Sequence, residues 1–69
     1  MMKNTIGNNI KKLRKESGIT QEQIASKLCI SRQVLSNYET GKRIPDIYEL
    51  IVLADLFEVS LDTIVGRKI

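Results

Sequence analysis

The chain has 69 residues and a mass of 7.8 kDa, enough for one domain around one small core. A single Cys excludes an internal disulfide, and the lack of His removes the commonest metal ligand and general base, so no metal, cofactor or His-based catalysis is expected. Hydrophobic residues at 42% and charged residues at 28% suit a folded globular domain, and the apolar runs are far too short for a membrane span or a secretory signal. With one thiol and no signal, a cytoplasmic location is expected.

The net charge of +3 conceals an asymmetry. Residues 1–45 carry nine Lys/Arg against three acids, whereas residues 46–69 carry two against five. One face could therefore meet a polyanion while the rest does not. The same count fits an ordinary solvated helix surface, so charge alone does not decide.

Apolar spacings of three and four recur along the chain, and period-two alternation is absent, which predicts helices and no strand. The first helix is expected over 6–16, with Ile6, Ile10 and Leu13 on one face and Gly18 as its stop. Thr20 caps the second, and Gln23 completes a capping box; Ile24, Ala25 and Leu28 point inward. Cys29 and Ile30 form a tight connection to Ser31, the cap of a third helix over 32–40 with Leu35 and Tyr38 inward and Gly41 ending it. A basic loop, Lys42 to Pro45, leads to Asp46, the cap of a fourth helix whose Ile47, Leu50, Ile51, Ala54 and Phe57 are expected in the core. Ser60 starts a short fifth helix holding Leu61, Ile64 and Val65, stopped by Gly66. The fold class is all-α: one domain over 1–69, with its core over 6–66 and short connections.

Residues 21–40 place two helices around a turn of about three residues, which is helix-turn-helix geometry. Ala25 sits where the pair must cross closely, and Ile24, Leu28, Ile30, Leu35 and Tyr38 clamp it. The third helix then turns outward Arg32, Gln33, Val34, Ser36 and Asn37. Arg can pair with guanine, Gln and Asn with adenine, and Val can pack on a thymine methyl. This face has no acid before Glu39, so it can approach phosphate; a generic solvent face more often carries Glu–Lys pairs.

Four stretches carry a family resemblance: I-x-x-L-R-K at 10–15, G-I-T-Q-E-Q-I-A at 18–25, S-R-Q-V-L-S-N-Y-E-T-G-K at 31–42 and V-S-L-D-T-I-V-G at 59–66. With them, residues 6–66 resemble the helix-turn-helix domain of phage repressor, Cro and XRE-type regulators. The resemblance implies the five-helix lambda-repressor-like fold, a third helix in the major groove of double-stranded DNA, and a dimeric repressor on an operator with two half-sites. It implies that Gln33 and Asn37 read bases, with Arg32, Val34 and Ser36 beside them. Gln21, at the start of the second helix, is implied as a phosphate clamp together with Ser31, since amides at a helix N-terminus favour an anion. Lys42 and Arg43 resemble loop residues that grip the backbone, and Arg14 with Glu39 resembles an internal ion pair. Both of these charges flank apolar faces that must meet, so the pair is expected to be partly buried.

Three residues admit a second reading. Cys29 occupies a turn position usually held by Gly, where positive φ costs a side chain about 1 kcal/mol; without a resolving Cys, and between Leu28 and Ile30, it is expected to be buried rather than a redox sensor. Tyr38 is expected as a core aromatic, with a phosphate contact through its hydroxyl as the alternative. Leu61, Ile64, Val65 and Ile69 offer more apolar area than a five-residue helix can bury alone. A homodimer through the fifth helix and the C-terminal tail is therefore expected, unless these residues only seal the core.

No paired carboxylates, nucleophile–base set or Gly-rich phosphate loop is present, so no catalytic residue is assigned and an enzyme is not expected. Against DNA binding stands a protein-interaction module, an antitoxin or adaptor using the same fold; the side chains on the third helix favour DNA. No sensing domain is expected beyond Ile69, so any signal is expected to arrive through a regulatory protein partner, a modification or concentration.

Overall fold

The computed structural model describes residues 4–67. Five helices follow one another: α1 (Thr5–Ser17), α2 (Gln21–Leu28), α3 (Arg32–Thr40), α4 (Ile47–Phe57) and α5 (Leu61–Val65), with no strand among the described residues. Each begins on a side chain that accepts a first-turn amide: Asn4, Thr20, Ser31, Asp46 and Ser60 bond the amides of Gly7, Gln23, Val34, Glu49 and Thr63. Capping boxes close at Thr20–Gln23, as expected, and also at Asp46–Glu49.

Each helix also ends in the same way. A left-handed residue turns the chain, and the following amide reaches back five residues: Ile19 to Arg14, Ile30 to Ala25, Lys42 to Asn37, Val59 to Ala54 and Arg67 to Asp62, at 2.9–3.1 Å. Gly18, Gly41 and Gly66 hold three of these turns. Cys29 and Glu58 hold the other two at φ 57° and 56°, each at about 1–2 kcal/mol of strain.

The core takes one fully buried residue from each helix: Ile10, Ile24, Leu35, Leu53 and Ile64. Burying a side chain of this size contributes about 1.5–3 kcal/mol, so every helix is anchored by tertiary packing. α1 and α3 approach most closely at Gly7, where a Cβ would collide with the carbonyl oxygen of Tyr38. α2 and α3 pack across the buried Ala25, as its small side chain predicts.

Two expectations fail. Ile47 and Ile51 are exposed, and Leu53, fully buried, takes the central place in α4. This helix is apolar almost all round, so its sequence has no polar stripe to mark the outside. Cys29 is exposed, because a left-handed cap turns its side chain off the helix pair. Ile64 is consumed by the core, and Leu61 and Val65 pack half-buried against it, so α5 has little apolar area to spare. Ile69 lies outside the described residues.

Candidate nucleic-acid interface

The helix-turn-helix is braced from behind by one buried carboxylate. Glu39, 4% exposed, receives Arg14 through a paired contact, Nε to Oε2 at 2.7 Å and Nη2 to Oε1 at 3.2 Å. Gln21 Nε2 donates to Glu39 Oε1 at 3.0 Å, and Arg14 Nη1 donates to the carbonyl of Ile19 at 3.3 Å. The backbone carbonyl of the same Glu39 accepts Asn4 Nδ2 at 2.8 Å. One residue of α3 thus ties down α1, the entry to α2 and the cap of α1. Paired charge-assisted bonds fix direction as well as distance, so the angle between α2 and α3 is set here.

At the start of α3 Arg32 and Gln33 are exposed, and Asn37 is half-exposed one turn later. Gln33 Nε2 donates to Asn37 Oδ1 at 3.1 Å. The bond holds two amides side by side on one face, leaving the Gln33 oxygen as acceptor and the Asn37 nitrogen as donor. Such a donor–acceptor edge matches the adenine pattern in the major groove. Ser36 is half-buried, and Val34 packs partly against the core, so Val34 can offer a base only the outer part of its side chain.

The basic loop is not loose. The amides of Gly41, Lys42 and Arg43 all bond the carbonyl of Asn37, with Lys42 at 2.9 Å and Arg43 at 3.3 Å. Gly41 at φ 84° makes this reversal possible, and a Cβ there would collide with the Asn4 side chain. Lys42 and Arg43, both exposed, therefore stand beside the end of α3. On the other side, Lys11, Lys15, Gln21, Ser36 and Thr40 line an open cleft between α1, the start of α2 and α3. There the first amides of α2 have no acceptor within the helix. The Ser31 hydroxyl oxygen accepts the Val34 amide, which leaves its O–H free to donate.

A helix-turn-helix family model matches residues 10–64. The chain belongs to the XRE-type helix-turn-helix family. The HTH-type transcriptional regulator ImmR of Bacillus subtilis is 40% identical over 63 residues, covering 91% of this chain and 50% of that protein. The immunity repressor protein of Bacillus phage phi105 is 34% identical over 64 residues, covering 93% and 44%. A crystal structure of a transcriptional regulator from Listeria innocua superimposes with a TM-score of 0.87 at 36% identity, covering 93% of this chain and 60% of that one. The chain spans about half the length of the two curated relatives.

Within this helix-turn-helix domain, several functional placements have no clear sign in the sequence. Tyr38 is buried as expected, but its hydroxyl donates to Glu49 Oε1 at 2.9 Å, which ties α3 to α4. Burial, reinforced by that bond, raises the hydroxyl pKa above the ordinary phenol range. Lys11 and Lys15 join the cleft only because α1 lies across α3; the charge count was their one signal. Gln21, implied as a phosphate clamp, donates its side-chain amide to Glu39, a contact with no sign in the sequence. Among the described residues no cluster of potential metal ligands occurs, and no helix is long and apolar enough to cross a membrane.

Proposed function

We propose that this protein is a sequence-specific DNA-binding transcriptional regulator, a cytoplasmic repressor that binds an operator of two half-sites as a dimer. The observation that carries the reading is the amide pair Gln33–Asn37, held on the exposed face of α3 beside Arg32 and flanked by a basic loop bonded to the end of the same helix. Gln33 and Asn37 read bases, and Arg32 reads a neighbouring base. Val34 and Ser36 shape the contact. Lys42 and Arg43 grip phosphates on one side of the groove, with Ser31 at the other end of α3. At Gln21 the phosphate contact falls to the free amide of the backbone, while its side chain holds the helix in place through Glu39. The relatives' names include a phage immunity repressor and a transcriptional activator, and the reading as a repressor follows the phage relative. A regulatory protein partner supplies the signal.

Titration with bulk duplex DNA at two salt concentrations tests the reading. Affinity should fall steeply as salt rises, because each neutralised phosphate releases counterions. A protein-interaction adaptor would show little DNA affinity and a flat salt response.

A further inference from the structure

Residues 42–45 cross from the end of α3 to the cap of α4 without helix of their own, yet they carry two of the cations placed on phosphate. The first leg of this loop is fixed by the Asn37 carbonyl, which accepts the Lys42 and Arg43 amides. The second leg has no such backbone anchor: among the described residues neither Ile44 nor Pro45 makes a backbone hydrogen bond. A loop held at one end keeps conformational freedom that it must lose when a phosphate is gripped.

Side chains supply the second anchor. Glu49 Oε1 accepts two bonds at once, from the Asp46 amide at 3.0 Å and the Tyr38 hydroxyl at 2.9 Å, while Asp46 Oδ1 accepts the Glu49 amide at 2.8 Å. The capping box of α4 needs only the two bonds between Asp46 and Glu49. The bond from Tyr38 is additional, and it ties the cap to the residue next to Asn37. Both ends of the loop are thus fastened to consecutive residues of α3, and the Tyr38 ring is buried at 5% exposure. Arg43 stands close to this anchor: burial and the bond to Glu49 raise the Tyr38 hydroxyl pKa, and the Arg43 charge opposes them. Among the described residues the ion pair is Arg14–Glu39, so the Arg43 guanidinium lies near these carboxylates without being paired to them. It stays free for a phosphate.

We propose that Tyr38 and Glu49 are positioning residues for the phosphate grip: their bond fastens the far end of the basic loop to α3, so that Lys42 and Arg43 meet the backbone in register with the Gln33–Asn37 amide edge. The inference rests on the DNA reading above, with Lys42 and Arg43 on phosphate, and adds two residues that touch no DNA themselves. Tyr38 is buried, and the Glu49 carboxylate would be repelled by phosphate. Fixing the loop before binding lowers the ordering cost of association. Phosphate contacts set register and carry no base information, so the choice of base is left to the α3 face. Loss of the Tyr38–Glu49 bond therefore weakens binding to every sequence alike.

The test is a titration of Tyr38→Phe on a selected duplex and on bulk duplex DNA, made both in the wild-type chain and in the Lys42→Ala/Arg43→Ala chain. Circular dichroism checks that every variant is folded at the titration temperature. With the basic loop intact, affinity should fall roughly threefold to tenfold on both DNAs, and the ratio between them should not change. In the Lys42→Ala/Arg43→Ala chain the same substitution should cost nothing further, because the grip it positions is gone. Glu49→Gln keeps the acceptor and Glu49→Ala removes it, while both lose the same charge. The Ala variant should bind more weakly than the Gln variant by the factor seen for Tyr38→Phe. An equal loss in both backgrounds, or no loss with the loop intact, overturns the proposal, and so does a Gln variant no tighter than the Ala variant. A wild type without affinity for duplex DNA refutes the DNA reading and this inference with it, as does a Lys42→Ala/Arg43→Ala chain that binds like the wild type. The other failures, seen with wild-type binding intact, refute the positioning role alone.

Discussion

Two regions of this small protein use their residues in opposite ways. In α1–α3 the apolar side chains go inward and the polar ones are tied to one another: Arg14, Gln21 and Asn4 converge on Glu39, and Gln33 is held by Asn37. In α4–α5 the core is supplied by Leu50, Leu53, Ala54 and Ile64, while a second apolar face is left outside. In the first region the polar groups satisfy one another, and among the described residues no buried polar side-chain atom lacks a partner. The second has surface to spare. A recognition helix needs the former, since a misplaced amide loses its base edge.

Substitutions that strike each region should separate them, beginning with the largest effect. Glu39→Ala leaves Arg14 half-sunk without its carboxylate and frees Gln21 and the α1–α3 contact. Stability should fall by about 3–5 kcal/mol, the cost of breaking a buried pair, read as a lower midpoint in urea unfolding. Asp55→Ala, on the exposed face of α4, should stay within about 0.5 kcal/mol. Equal losses in the two variants would erase the contrast. Gly7→Ala drives a methyl into the carbonyl of Tyr38, so α1 and α3 must separate; overpacking of this kind costs about 1–3 kcal/mol.

Tyr38→Phe removes the hydrogen bond that ties α3 to α4, at about 0.5–1.5 kcal/mol. It also has a pH signature. The folded-state pKa of Tyr38 lies above the unfolded value of about 10. Below that value both states are protonated and the contribution is fully present. As pH rises from there through the raised value, the unfolded chain loses its proton first and stability declines. The Phe variant should lack this alkaline decline, as unfolding measured across that range will show. Cys29→Gly should act in the other direction, relieving left-handed strain and raising stability by about 1 kcal/mol.

The five helices and most of their caps were legible because local rules fix them. Thr20 with Gln23, Ser31, Asp46 and Ser60 announce helix starts by type and spacing, and Gly18, Gly41 and Gly66 announce stops. Asn4 escaped because its side-chain amide serves the carbonyl of Glu39, 35 residues away, a bond no local pattern encodes. The two faces of α4 escaped for a different reason: Ile47, Ile51 and Val52 are as apolar as Leu50 and Leu53, and only the position of α1, α2 and α5 decides which set is buried. The α3 face was legible because its polar residues had no core position to occupy. Its fine structure, the Gln33–Asn37 bond and the engagement of Gln21 by Glu39, depends on rotamers and a tertiary contact.

The central claim is that the outward face of α3 reads sequence while the basic loop only grips the backbone. Selection from a random duplex pool with wild type, Gln33→Ala and Lys42→Ala, followed by titration of the recovered sites at two salt concentrations, tests it most directly. Gln33→Ala should lose about 1–3 kcal/mol on the preferred site and relax preference at one position of each half-site. Lys42→Ala should weaken every sequence alike and lower the salt slope by about one. If both variants lose affinity uniformly across all sequences, α3 is not the reading element.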